Sequence, residues 1–317
     1  MLMSEQAKPL RAGVVGAGVF GGYHASKYVA DERTEFIGVF DPVSDHSARL
    51  TQTHGGEVFS SLSALIEAAD ILTVASPAMF HHDAVSRALS AGRHVLVEKP
   101  VAASVSEGRD LVSLAKEREL ILQVGHQERF VFDAMGLFGE LPRLKLLHAR
   151  RMGTPSPRNL DVSVTLDLMI HDIDLVLALA GQGPRHIEAE LKADRGGLGD
   201  HIYASLEFED GFTATLESSR VAEVRDRVML LGYEGGDQVE VDFLNKRFAN
   251  EGALRLDPDF ADAPQARDSL GANVGAFISA VLDPKARSVA ASGSDGLLAL
   301  ETALRIDEAA GGDSRLS

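Results

Sequence analysis

The sequence predicts an α/β protein: an N-terminal doubly wound parallel sheet, followed by an α+β domain built on a mostly antiparallel, open-faced sheet. Three observations predict it. A glycine-rich turn, Gly16-Ala17-Gly18-Val19-Phe20-Gly21, follows the apolar run Gly13-Val14-Val15 and precedes a helical stretch at 22–29. Apolar strands then alternate with helical stretches as far as Val124, the rhythm of parallel strands joined by crossover helices. Beyond Gly125 the alternation gives way to consecutive strand-like runs with turn residues between them, the pattern of antiparallel pairing.

Each element has its own signal. In the first turn, Gly16 permits the tight bend, Gly18 lets backbone approach a pyrophosphate, and Gly21 lets helix and strand pack closely, so an anion can sit on N–H groups at the helix start. Similar glycine turns serve methyltransferases, so the turn alone does not name a ligand. The second strand, 36–40, ends at Asp41, twenty residues past Gly21, where a carboxylate can accept ribose hydroxyls. Pro42, Val43 and Ser44 follow with no Arg or Lys beside it; a 2′-phosphate would be repelled, and NAD is favoured over NADP. Strands at 71–75, 94–97 and 120–124 alternate with helices at 82–91 and from the Ser104/Glu107 capping box to about residue 118. Strand-like runs at 186–193, 201–208, 212–217, 228–232 and 239–243 then follow, with Asp210-Gly211 and Gly235-Gly236 as hairpin turn signals. Residues 251–269, rich in Asp, Ala and Pro, read as a loop, and 294–310 as a final helix. The expected division is residues 1–124 for the dinucleotide domain and 125–317 for substrate binding and oligomerisation, with the last helix packing back on the first domain. One face of the second sheet needs a cover, and a second copy in a homodimer or homotetramer is the expected one.

Composition bounds the function. The 317 residues are 45% hydrophobic with 14 Phe, enough for two packed cores. A formal charge of −16 argues against nucleic acid or an anionic membrane as partner, since both require clustered cations. No apolar run approaches the roughly 18 residues of a spanning helix, and Met1-Leu2-Met3-Ser4-Glu5 lacks a secretory profile; the expected compartment is the cytoplasm. Without cysteine, disulfides, thiol catalysis and thiolate metal sites fall away.

Residues 163–180 read as one apolar helix, yet Ser163, Asp167, His171 and Asp174 fall on a single stripe at helical spacing. A carboxylate and an imidazole four apart in such a helix cost several kcal/mol unless they find partners or a use. An internal hydrogen-bond network would satisfy them; so would catalysis. A zinc site is disfavoured because no His-Glu-x-x-His and no cysteine occur, and no metal is expected. Glu98-Lys99-Pro100 closes the strand at 94–97, and ligands of open parallel sheets lie outside the carboxyl ends of strands.

With these residues in hand, the chain resembles the glucose-fructose oxidoreductase and inositol dehydrogenase family over nearly its whole length. The marks are Gly16 to Gly21, Ser76-Pro77 followed by His81, Gly92-Arg93-His94-Val95 leading to Glu98-Lys99-Pro100, Gly125-His126 with Arg129-Phe130, and the pair Asp167 and His171. The resemblance implies an NAD-dependent sugar dehydrogenase of Rossmann architecture in which Lys99 and His171 flank the reacting hydroxyl, Asp167 contacts substrate, and no metal takes part. The family's usual Thr-Pro-Asn is here Ser76-Pro77-Ala78. Candidate cofactor contacts are Gly16, Gly18, Val19, Phe20, Gly21, Asp41, Ser76, Pro77, His81, Glu98 and Lys99. Ser156-Pro157-Arg158 and the run 166–177 look most like the branch that oxidises the 3-hydroxyl of UDP-N-acetylglucosamine. For its diphosphate, Arg129, Arg150, Arg151 and Arg158 are candidates, with Arg129 and Arg158 preferred.

The chemistry needs a proton acceptor near neutral pH as hydride leaves a carbinol carbon. Imidazole, with a reference pKa of about 6.5, suits that role, whereas an amine of about 10.4 needs depression by burial or by the cationic nicotinamide. The expected assignment is His171 as base, Asp167 orienting it or gripping a neighbouring hydroxyl, and Lys99 stabilising the alkoxide. The Lys99 and His171 roles are interchangeable at this level. A dehydrogenase of a free polyol such as inositol, and a nonenzymatic NAD-binding sensor or assembly subunit, are the competing readings.

Overall fold

The computed structural model describes residues 8–156, 162–193 and 198–311, in two compact units. The first comprises the residues up to Gly125 together with Leu270–Gly293; the second comprises His126–Ser269 with the residues from Ser294 onward.

The first unit runs β1 (Leu10–Val15), α1 (Val19–Ala30), β2 (Thr34–Phe40), α2 (Ser44–His54), a two-residue β3 (Glu57–Val58), α3 (Leu62–Ala68), β4 (Ile71–Val74), α4 (His81–Ser90), β5 (His94–Val97), α5 (Val105–Glu117) and β6 (Leu122–Val124). Strands β1 to β6 are parallel, in the order β6-β5-β4-β1-β2-β3. Both sheet faces are covered, as a parallel sheet requires. Ala12 and Val14 of β1 pack with Ala25 and Tyr28 of α1, while the opposite face carries Gly13, where a Cβ would meet Leu65 of α3 at 2.7 Å.

The second unit carries α6 (Glu128–Met135), β7 (Leu144–Met152), α7 (Ile170–Ala180), β8 (His186–Ala193), β9 (His201–Glu207), β10 (Thr213–Ser219), β11 (Asp226–Tyr233), β12 (Gln238–Asp242), β13 (Arg247–Glu251) and the single-turn α8 (Pro264–Arg267). Its sheet has the order β13-β12-β11-β7-β10-β9-β8, antiparallel except where β7 lies parallel to β10. Along β9 and β10, buried Ile202, Ala204, Leu206, Ala214 and Leu216 alternate with more exposed residues, and α7 covers the apolar face. Both predicted turns form, with Gly211, Gly235 and Gly236 at φ of +83°, +97° and +97°.

Three expectations need correction. Residues 270–293 belong to the first unit, not the second: α9 (Ser269–Leu282) lays Val274, Phe277 and Ile278 into the same core as Tyr28, and β14 (Ala291–Ser292) pairs antiparallel with β6. The last helix, α10 (Gly293–Ala309), groups with the second unit, where Asp307 and Arg305 bond to Ser163 and the Pro184 carbonyl. Residues 163–180 are not one uniform α-helix, since Thr165–Met169 form a π-helical turn ahead of α7. Among the described residues no helix is long and apolar enough to cross a membrane.

Candidate active site

In the first unit the turn after β1 is shaped by the absence of side chains. Gly16 has φ +96°, and a Cβ on it would lie 2.8 Å from the Ser76 nitrogen; one on Gly21 would lie 2.0 Å from the Gly16 carbonyl oxygen. At Gly18, the N-cap of α1, a Cβ would meet nothing within 4 Å. That side of the turn is open. No side chain caps α1 and no acidic residue sits in its first turn, while Val19 and Phe20 stand 57% and 46% exposed at its head. Open backbone N–H groups at the positive end of a 12-residue helix fit a pyrophosphate.

Asp41 accepts the Ala17 N–H at 2.7 Å with one oxygen and the Val43 N–H at 2.8 Å with the other. It therefore ties the end of β2 to the glycine turn. Each carboxylate oxygen retains acceptor capacity for a ribose hydroxyl, and its charge opposes a 2′-phosphate. A neighbour went unnoticed in the sequence: His46, in the first turn of α2, puts Nδ1 3.6 Å from Asp41. These residues fit NAD.

At the end of β5, Lys99 is half-buried. Glu98 turns to fully buried His24 of α1, whose Nε2 lies 2.7 Å from it. Burial opposes a charge on Glu98, but the His24 hydrogen bond and the charges of His24 and Lys99 outweigh it and hold the carboxyl below its usual range. Gly125 makes room for that carboxylate, since a Cβ there would lie 2.8 Å from it. Near Pro77 the Ser76 hydroxyl is buried with no hydrogen-bond partner among the described residues, a polar atom left over for a ligand.

His81 does not take the expected place as a cofactor contact. It is 1% exposed, with Nδ1 2.8 Å from the Pro100 carbonyl and Nε2 2.8 Å from the Ser76 carbonyl. Its ring clamps the segment after Lys99 to the loop after β4. Burial pushes its pKa down, while the two carbonyls and Glu98 pull it up.

In the second unit the stripe 163–174 divides in two. Ser163 is buried, donates to Asp307 at 2.6 Å and accepts the Leu166 N–H at 3.2 Å. Asp174 is buried and accepts from Nε and Nη2 along one edge of the Arg129 guanidinium, at 2.8 and 2.7 Å. Asp167 and His171 are half-buried, on a segment where Thr165, Leu166, Met169, Ile170, Asp172 and Ile173 are buried. The ends of the stripe are structural anchors; its middle is accessible.

The arginines expected to meet a diphosphate are mostly committed elsewhere. Arg129, 7% exposed, is held by Asp174 with Asp295 3.7 Å away, which corrects its assignment as a substrate contact. Arg151 is 2% exposed and bonds Glu128 and Asp172 together. Burial alone would lower its pKa, yet these carboxylates outweigh burial and raise it. Of the two, Asp172 is pushed up by burial, whereas Arg151 and Arg227 outweigh burial at Glu128 and hold it low. Arg150 pairs with Asp226 on the other face of β7, and Arg158 lies outside the described residues.

Comparison with known proteins identifies the family. A family model described as "Oxidoreductase family, NAD-binding Rossmann fold" matches residues 10–126, and one described as "GFO/IDH/MocA C-terminal domain" matches residues 135–236. The chain is 32% identical to UDP-N-acetylglucosamine 3-dehydrogenase from Acidithiobacillus ferrooxidans, over 94% of this chain and 96% of the relative. It is 26% identical to D-glucoside 3-dehydrogenase from Escherichia coli, over 73% of this chain and 76% of the relative. The solved structure of the Acidithiobacillus enzyme, GnnA, superposes with a TM-score of 0.86 at 30% identity, covering 95% of this chain and 98% of that one. The chain belongs to the GFO/IDH/MocA family and is an NAD-dependent oxidoreductase.

Proposed function

We propose that this enzyme oxidises the 3-hydroxyl of UDP-N-acetylglucosamine. The observation that carries the reading is the half-buried pair Asp167 and His171, a carboxylate and an imidazole set among the buried residues Leu166, Met169, Ile170 and Asp172. The substrate rests on the relative of that name, which matches along nearly the whole chain.

In the proposed assignment, the His171 imidazole takes the proton from the hydroxyl, Asp167 orients the ring or grips a neighbouring hydroxyl, and Lys99 stabilises the oxyanion as it forms. Exchange of the Lys99 and His171 roles preserves the same proton balance. NAD, when bound, accepts the hydride that leaves the carbinol carbon. Gly16, Gly18, Val19, Phe20 and Gly21 hold its diphosphate, and Asp41 its adenosine ribose. Glu98, next to Lys99 in the chain, keeps its negative charge. With Arg129 and Arg151 buried in ion pairs, the diphosphate of the sugar nucleotide is assigned to Arg158.

The test is absorbance at 340 nm with NAD and a panel containing UDP-N-acetylglucosamine, other UDP-sugars and myo-inositol. A kcat/KM for UDP-N-acetylglucosamine at least about 100-fold above that for myo-inositol is expected, since a built polar site rejects analogues lacking its partners by such factors or more. Faster turnover of myo-inositol, or of another UDP-sugar, overturns the substrate assignment. His171→Ala or Lys99→Met retaining near-native turnover overturns the role of that residue.

A further inference from the structure

We propose that Asp307, on the last helix, is a positioning residue for the second unit's catalytic segment: its carboxylate anchors the entry to the π-helical turn that presents Asp167 and His171. The inference rests on the reading that these two residues serve the reacting hydroxyl.

The Asp307 carboxylate receives two hydroxyl hydrogen bonds from residues more than 140 positions earlier. Ser163 Oγ donates to Oδ2 at 2.6 Å, and Thr165 Oγ1 donates to Oδ1. Ser163, Thr165 and Asp307 are 4%, 0% and 4% exposed, so water does not compete for these groups. Ser163 also caps the segment through the Leu166 N–H, and its carbonyl accepts the Asp167 N–H at 2.9 Å. Thr165 is the first residue of the π turn. Both hydroxyls therefore fix the turn at its entry, one residue group ahead of the first functional side chain.

π-helical turns are rare and occur mostly as single turns set into α-helices. An α-helix would set Asp167 and His171 as neighbours on one face, about 40° apart around the axis. The widened turn changes their angular relation, so whatever holds it also sets the geometry of the pair. A cavity of only about 10 Å³ borders Asp307, and among the described residues its lining includes Val164, Leu191, Gly199 and Ile202. Burial pushes the Asp307 carboxyl up to about 6 against the two hydroxyls that lower it. A buried carboxylate carried at that expense in a helix remote from the turn calls for a use.

Asp307→Asn keeps the shape and can both accept and donate to the two hydroxyls, whereas Asp307→Leu fills similar space without polar atoms. Thr165→Val removes one donor without changing volume, and it decides the matter if Asp307→Leu does not fold. Two readouts are taken: kcat and KM for UDP-N-acetylglucosamine with the NAD affinity, and amide hydrogen exchange of residues 163–171. The expected result is a 10- to 100-fold loss of kcat in Asp307→Leu, a smaller loss in Thr165→Val, and kcat within about 3-fold of native in Asp307→Asn. NAD affinity stays unchanged, and faster exchange is confined to 163–171 in the first two variants. Native kcat and native exchange in both overturn the proposal. Equal loss in Asp307→Asn, or exchange rising through the whole chain, overturns it in favour of general stability. If the native enzyme ignores UDP-N-acetylglucosamine while local exchange still responds, the substrate reading falls and the anchoring role stands.

Discussion

The glycine turn after β1 and the π turn before α7 both carry candidate site residues, but they are held by opposite means. The first is defined by missing side chains: at Gly21 a Cβ would lie 2.0 Å from a carbonyl oxygen, and at Gly18 a Cβ would meet nothing within 4 Å. The second is defined by buried polar side chains whose partners come from far along the chain, Ser163 and Thr165 to Asp307, and Asp174 to Arg129. The first surface is closed by backbone, from the Gly16 carbonyl and from Ser76 in the loop after β4, so it depends little on which side chains stand elsewhere. Buried polar contacts of this kind join residues 45 to 144 positions apart, so the second surface depends on side chains in distant elements.

Arg129 gives the largest break in this comparison. Removing one partner of a buried pair leaves the other charge uncompensated, at a cost of about 3–5 kcal/mol. Arg129→Ala therefore loses about that much unfolding free energy, read from chemical denaturation, with a fall in Tm of several degrees or more. The double variant Arg129→Leu/Asp174→Leu recovers most of it. A loss of UDP-sugar affinity at native stability would instead return Arg129 to the substrate.

The two glycines sharpen the comparison at the other end. Gly18→Ala meets no atom of the protein, so Tm stays native, while the added methyl takes ligand space and NAD affinity falls by about 10- to 100-fold, or about 1.4–2.7 kcal/mol. Gly21→Ala cannot be accommodated without moving backbone, so it loses both NAD affinity and Tm. Calorimetric NAD titration with thermal melts checks both. Equal melting losses would show that Gly18 serves the fold rather than the ligand.

The same contrast governs what was legible in the sequence. The glycine turn, Asp41 at the end of β2 and Glu98-Lys99 at the end of β5 could be read because each signal is local and repeated within the strand-helix rhythm. The accessible pair Asp167 and His171 was also legible, as ionisable residues in an apolar run. What could not be read was commitment. Arg129 looks like any cation near a cleft until Asp174, 45 residues on, is found against it. Strand β7 was missed because Lys145, His148, Arg150 and Arg151 mask its alternation, and Arg151 is in fact on the buried side with Leu147 and Ala149. Helix α9 was missed because its glycines and alanines dilute the periodicity of Val274, Phe277 and Ile278. Its return to the first unit is a tertiary choice that no local signal announces.

Asp307 supplies the finest test, through pH. Its carboxyl sits at about 6 in the folded protein, chiefly from burial, against an ordinary value of about 3.9 in an unfolded chain. Between these values the folded state binds more protons than the unfolded state, so stability falls as pH rises through the window and levels off above 6. Two units of difference amount to at most about 3 kcal/mol. Asp307→Asn has no such titration and keeps hydrogen-bonding capacity toward Ser163 and Thr165. The stability of this variant relative to the native enzyme therefore rises between pH 4 and pH 7 by about 2–3 kcal/mol, seen as a Tm difference that grows by several degrees and then stays constant. A difference that is flat with pH would mean that the Asp307 charge costs nothing where it lies. The carboxylate anchor would then be no more demanding to maintain than the glycine turn, and the contrast between the two surfaces would lose its energetic basis.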